Sequence, residues 1–269
     1  MSSLQAKKLF LLDMDGTLYL DETLFDGVPE FLARIRAKGG RYLFLTNNSS
    51  RGIEGYLKKM ARLGIPAEEE DFLTSTDATI RTIRKEYPDR LIYVVGTQSL
   101  KEQLRSAGLC LSEEPSEDVN LLLIGFDREL TYKKLEDACI LLGRNVDYLA
   151  TNPDWVCPVA FGFEPDCGSI CEMLWHATGK KPRVIGKPEP QMVFLALERT
   201  GFTKEETVVV GDRLYTDIAC GVNAGVDTVF VLSGEGKRED IETMGIRPVW
   251  VLADIRSLLE EMEKDDGKA

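Results

Sequence analysis

Phe10-Leu11-Leu12-Asp13-Met14-Asp15-Gly16-Thr17-Leu18 joins an apolar run to two carboxylates spaced i, i+2 and then to a glycine. The run from Lys8 to Leu12 has the length of a strand, and its lack of alternation suits a parallel strand covered on both faces. Asp13 and Asp15 then fall at its carboxyl end, the edge where open α/β sheets bind ligands. If the extension continues past Leu12, the period of two points both acids into one crevice. Two anions held together in this way need a cation or a shared proton. The same residues also suit a plain turn, because Asp and Gly dominate turns, so the rest of the chain must decide.

Working outward, Val28 to Lys38 carries a helical stripe of Val28, Phe31, Leu32 and Ile35, stopped by Gly39-Gly40, and a second apolar run covers Tyr42 to Leu45. Strand, helix, strand at this spacing predicts a βαβ unit with a right-handed crossover. The second run ends in Thr46-Asn47-Asn48-Ser49-Ser50, which opens a helix reaching about Leu63. Hydroxyls, amides and free N–H groups at a helix amino terminus serve capping and phosphate binding alike. Farther along, Arg183-Val184-Ile185-Gly186-Lys187-Pro188 hands a lysine to a helix over Pro190 to Thr200. Thr207-Val208-Val209-Val210 then reads as a buried strand running into Gly211-Asp212-Arg213-Leu214-Tyr215-Thr216-Asp217. Two more strands are predicted over Asp227 to Leu232 and Pro248 to Leu252.

Between these motifs, strands over Leu91 to Val95, Asn120 to Gly125 and Tyr148 to Ala150 alternate with helices over Ser99 to Ala107 and Tyr132 to Leu142. None of them ends in paired acids, so this stretch reads as a second α/β domain without the primary chemistry. Thr151-Asn152-Pro153-Asp154-Trp155-Val156-Cys157-Pro158 reads as a loop, rich in turn formers and carrying an exposed tryptophan.

Composition narrows the partners. Lys+Arg 33 against Asp+Glu 45 gives a formal net charge of -12, which disfavours a nucleic-acid backbone or an anionic membrane. Met1 to Lys8 holds no long apolar segment and Asp13 cuts the next run, so no signal peptide or membrane span is read and a cytoplasmic location is the expectation. The six cysteines form no CxxC pair and read as reduced thiols; His176, the single histidine, reads as structural.

Four strand ends thus offer Asp13 with Asp15, Thr46 with Asn47, Lys187, and Asp212 with Asp217. Phosphoryl transfer is the chemistry that needs this set. A carboxylate approaching a phosphate dianion meets repulsion on the order of several kcal/mol in a semi-buried site. A divalent cation such as Mg²⁺, bound through oxygens, removes most of it. Lysine and hydroxyl donors hold the phosphoryl oxygens, and a second acid moves the protons.

On these residues the chain resembles the haloacid dehalogenase superfamily of aspartate-nucleophile phosphatases, specifically its NagD-like, class IIA branch. Asp13-Met14-Asp15-Gly16-Thr17 is similar to the first family motif, Leu45-Thr46-Asn47-Asn48 to the second, Gly186-Lys187-Pro188 to the third, and Gly211-Asp212 through Asp217 to the fourth. The resemblance implies an α/β fold: a doubly wound parallel-sheet, Rossmann-like core of residues 1–78 and 182–269 with an inserted α/β cap at 79–181. It implies Asp13 as nucleophile, Asp15 as general acid/base, Thr46 and Asn47 as phosphate contacts with Asn48 beside them, and Lys187 as the clamp. Mg²⁺ would be held by Asp13, the Asp15 carbonyl and Asp212, with Asp217 in support. The implied substrate is a small phosphorylated metabolite such as a sugar phosphate or nucleoside monophosphate, with Asn152, Asp154 and Trp155 as candidate cap contacts. Related proteins also form homodimers through the cap. Two alternatives remain open at this point: a phosphotransferase or mutase on the same fold, and a phospho-accepting signalling module, whose receiver is a single small domain.

Overall fold

The computed structural model describes residues 3–159 and 161–264, so the charged end at 265–269 lies outside the described residues. The chain divides into two units: Met1–Thr46, Tyr56–Leu73 and Lys187–Ala269 form the first, and Asn47–Gly55 with Thr74–Gly186 the second.

In chain order the first unit begins with β1 (Leu9–Leu12), a short hairpin of β2 (Tyr19–Leu20) and β3 (Thr23–Leu24), then β4 (Arg41–Thr46) and β5 (Phe72–Thr74). The second unit contributes β6 (Leu91–Val95), β7 (Cys110–Ser112), β8 (Leu121–Ile124), β9 (Asp147–Ala150), β10 (Val156–Val159), β11 (Gly162–Pro165) and β12 (Arg183–Val184). The chain then returns to the first unit with β13 (Thr207–Gly211), β14 (Asp227–Val231) and β15 (Trp250–Leu252).

The first unit's six-stranded sheet has the order β15-β14-β13-β1-β4-β5. All four residues of β1 are buried, as an unalternated run requires when helices cover both faces. The helix Val28–Ala37 turns Val28, Phe31, Leu32 and Ile35 inward, the stripe read from sequence. From β1 the chain builds outward through β4 and β5 on one side and through β13, β14 and β15 on the other. The order therefore reverses beside β1, the position at which such sheets open a ligand crevice beyond their carboxyl ends.

The second unit carries a five-stranded parallel sheet of order β12-β9-β8-β6-β7, packed over a core that includes Tyr93, Leu122, Ile124, Leu141, Ile170 and Leu174. Its edges differ from the 79–181 span read from sequence. Arg183–Val184 pairs with β9, and Asn47–Gly55 joins it because the buried Ser49 hydroxyl is 2.9 Å from Thr151 Oγ1 and accepts from Phe126 N at 2.9 Å. The stretch read as a loop after Asp154 contains β10, which pairs antiparallel with β11. Pro153 and Pro158 concealed this strand in the sequence, since proline is tolerated only at sheet edges. All six cysteines are free thiols. Among the described residues no helix is long and apolar enough to cross a membrane.

Candidate active site

Strand register sets the site. Leu12, the last residue of β1, lies opposite both Phe44 and Val210, while β13 runs one residue farther to Gly211 and β4 two farther to Thr46. Asp13 follows directly, its N–H donating to Val210 O at 2.9 Å. Thr46 and Asp212 each lie two residues beyond the partner of Leu12.

Lys187 ties the acids together. Its Nζ donates to Asp13 Oδ1 at 2.6 Å and to Asp217 Oδ1 at 2.6 Å. Asp212 is fixed from two sides: Oδ2 accepts from Glu235 N at 2.7 Å, and Oδ1 from Thr17 Oγ1 at 3.2 Å. Asp217 Oδ2 accepts from Arg213 N at 3.1 Å. A carboxylate oxygen of each of Asp13, Asp212 and Asp217 lies within 4.8 Å of the others. Asp217, expected only in support, thus stands level with the other two acids. Gly16 makes this packing feasible, because it has φ +85 and a Cβ there would come 2.5 Å from Asp212 Oδ2.

Exposure separates these groups. The Lys187 side chain is 4% exposed and that of Asp217 1%, whereas that of Asp13 is 17% exposed and open to an incoming group. Burial, and then the Asp217 charge, push the Asp13 carboxyl well above the usual carboxylate range against the pull of Lys187. Asp212 is pushed up to about 6 by burial and then by Asp217. Burial works to lower the Lys187 pKa, but Asp13 and Asp217 outweigh it and hold the ammonium charged above its ordinary range. Three clustered carboxylates exceed what one lysine neutralises. An all-oxygen, anionic donor set of this kind fits a hard divalent cation.

Asp15 is more open than Asp13: its side chain is 60% exposed, with Oδ1 3.2 Å from Lys59 Nζ and Oδ2 accepting from Tyr19 OH at 3.3 Å. Met14 O accepts from Thr17 N at 3.2 Å and Leu18 N at 2.8 Å, so the chain turns directly after Asp15, which itself bridges to Tyr19. Lys59, Tyr19 and Arg213 were not singled out from the sequence; Arg213, ion-paired with Glu235 at 2.9 Å, also feels the Asp13 charge. Thr46 Oγ1 lies 3.2 Å from Tyr56 OH.

The remaining candidates lie in the second unit. Asn152 is fully buried, its Nδ2 donating to Asn47 O at 2.8 Å and its Oδ1 accepting from Asp154 N at 2.9 Å. Both ends of its amide are thus used inside the unit, and the direct substrate contact expected of it gives way to a bracing role. Asn152 brings together two other candidates, and Asn47 Nδ2 donates to Asp154 Oδ1 at 3.3 Å. Asn48 Oδ1 accepts from Ser50 N at 2.9 Å, a turn that opens the following helix. Trp155 is 60% exposed, as expected.

Comparison with known proteins agrees with this geometry. Residues 10–110 match the model of haloacid dehalogenase-like hydrolases, and residues 184–258 a second model of the same kind. An acid sugar phosphatase of Staphylococcus aureus is 35% identical over 257 residues, covering 96% of this chain and 98% of that protein. A 4-nitrophenylphosphatase from Thermotoga maritima superposes with a TM-score of 0.90 at 39% identity, covering 96% of this chain and 98% of its own. A glycerol phosphate phosphatase from Mycobacterium tuberculosis, solved in complex with calcium, has a TM-score of 0.88 at 30% identity, covering 96% of this chain and 76% of its own. The chain belongs to the haloacid dehalogenase-like hydrolase family and is a phosphatase of its NagD-like branch.

Proposed function

We propose that this phosphatase hydrolyses the phosphate monoester of a small metabolite, a sugar phosphate or similar, through a phosphorylated Asp13 and with Mg²⁺ as its cation. One observation carries the reading: of the clustered acids held around Lys187, Asp13 is the one with an open face. A carboxylate oxygen of Asp13 attacks phosphorus, and the bond to the ester oxygen breaks. Lys187, already 2.6 Å from Asp13, aligns the nucleophile and offsets the charge that gathers on the phosphoryl oxygens. Thr46 donates a hydroxyl to the same oxygens. Asp15 gives its proton to the leaving oxygen; it then takes one from the water that attacks phosphorus, releasing inorganic phosphate and the free Asp13 carboxylate. Mg²⁺ held by Asp13, the Asp15 carbonyl, Asp212 and Asp217 would neutralise the approach of one anion to another. The second unit takes the role of a substrate-selecting cap, through Trp155, Asn47 and Asp154. A homodimer through this unit is part of the same reading, and sedimentation of the purified protein tests it.

Phosphate release from 4-nitrophenyl phosphate and from hexose phosphates, with Mg²⁺ and with EDTA, is the experiment. Asp13→Asn is expected to release none while keeping the wild-type circular dichroism spectrum. Near-wild-type turnover in that variant would overturn the nucleophile, and equal wild-type turnover in EDTA would overturn the metal requirement. The acid sugar phosphatase relative favours including sugar phosphates in the screen.

A further inference from the structure

We propose that Lys59 is a positioning residue for Asp15, holding its carboxylate in a fixed direction so that it can serve as the proton carrier; this rests on the role given to Asp15 above. Asp15 sits on a turn with its side chain 60% exposed, where an unrestrained carboxylate would rotate freely. It is restrained at both oxygens. Lys59 Nζ reaches Oδ1 at 3.2 Å, and Tyr19 OH donates to Oδ2 at 3.3 Å.

The two holding groups also fix each other. Lys59 Nζ stands 3.9 Å from the centroid of the Tyr19 ring, a cation–π contact. The tyrosine is itself fully buried, so its ring is a rigid floor beneath the ammonium. Lys59 lies in the helix Ile53–Arg62. One turn farther along that helix, Arg62 grips Glu22 with two hydrogen bonds of 3.1 and 3.0 Å. One helix face therefore holds both ends of the segment from Asp15 to Glu22.

Proton transfer requires the carrier within about 2.6–3.2 Å of the accepting oxygen, and a misplacement of about 1 Å costs on the order of 100-fold in rate. Loss of Lys59 removes one of the two restraints and its charge, but no group that bonds the nucleophile. Its effect belongs in kcat.

The test is a double-mutant cycle on the whole protein with a hexose phosphate, whose leaving oxygen needs a proton, in saturating Mg²⁺. Lys59→Met is expected to lower kcat by about 10- to 100-fold with KM changed by less than about 2-fold. Lys59→Arg, which keeps both the donor and the cation over the ring, should recover most of the loss. In an Asp15→Asn background Lys59→Met should cost nothing further, since no carboxylate remains to be positioned. An equal loss in both backgrounds, a rise in KM alone, or an unchanged kcat would each overturn the proposal. Wild-type turnover by Asp15→Asn alone would overturn the role of Asp15 itself, which is a separate failure. Should Lys59→Met not fold, Tyr19→Phe repeats the cycle by removing only the hydroxyl bonded to Oδ2.

Discussion

Replacing Lys187 by methionine removes the ammonium held between the part-open Asp13 and the buried Asp217 while keeping the length and bulk of the side chain. Both Nζ contacts are 2.6 Å, and the Lys187 side chain is 4% exposed. Removing one partner of a buried pair typically costs about 3–5 kcal/mol, because the remaining charge is left uncompensated. Asp13 is partly open and its pKa is already raised, so it can take up a proton, and the loss should lie near 3 kcal/mol. The deficit should shrink in Mg²⁺ because the variant, lacking the lysine charge among the acids, binds the cation more tightly; at saturation each tenfold gain in affinity closes the gap by about 1.4 kcal/mol. The folded pKa of Lys187 lies above its unfolded value, so its contribution is fully present below about pH 10 and is lost only as pH rises through the folded value. The titration of Lys187 itself therefore adds no pH dependence to the gap from pH 7 to 9, and any widening as pH rises reports the proton taken up by Asp13 in the variant. Trp250 lies in β15 of the first unit. Its fluorescence, in a background where Trp155 and Trp175 are phenylalanine, reports urea unfolding of that unit. A loss below about 1 kcal/mol in EDTA, the level of an exposed ion pair, would refute the reasoning. A variant that binds Mg²⁺ no more tightly than the wild type, and so shows an equal loss with and without it, would count against a cation seated among the acids that Lys187 touches.

Four further outcomes follow from the geometry. Asp212 has a folded pKa of about 6, above its unfolded value, so it costs stability above pH 6 in metal-free protein and that cost fades as pH falls toward 4. Asp212→Asn should remove this component, on the order of 2–3 kcal/mol between pH 7 and 4, as read by urea midpoints in EDTA. Protonation of the same group should weaken Mg²⁺ binding below about pH 6, measurable by calorimetry. Gly16→Ala should destabilise the first unit by about 1–3 kcal/mol and impair metal binding further, because its Cβ would meet Asp212 in a left-handed turn; unchanged calorimetric affinity would count against the assigned packing. Asp15→Asn should slow hydrolysis of hexose phosphates by roughly 100-fold or more relative to wild type, and slow 4-nitrophenyl phosphate less in a single-turnover burst, since nitrophenolate departs without a proton.

Much of this arrangement was legible because its signals are local. The Phe10 to Leu12 run, the Val28 to Ile35 stripe and the Thr207 to Val210 run each state a period or its absence, and each lies where the sequence places it. Asp13 and Asp212 meet because parallel pairing sets β1 beside β13, whereas Lys187 and Asp217 reach them from outside the strands of that sheet, Asp217 from the helical segment Leu214–Ile218. What was not legible depends on how the chain turns away from the sheet. Asp15 is held by Lys59 and Tyr19, contacts that no spacing rule foretells. Asn152 read as a surface loop residue because prolines and acids surround it, yet its amide is enclosed by Asn47 and Asp154, over a hundred residues apart. Lys59 gave no signal at all, since a lysine on an amphipathic helix is ordinarily solvated.

The Ser49 hydroxyl, wedged between Thr151 and Phe126, bears on how such proteins can be recombined. A chimera that exchanges residues 79–181 as one cassette would strand Ser49 against a foreign sheet and leave the Asn47 carbonyl without Asn152. The transplantable piece has two parts, Asn47–Gly55 and Thr74–Gly186, spliced at four junctions. Thr46 and Asn47, neighbours along the chain, would then come from different parents.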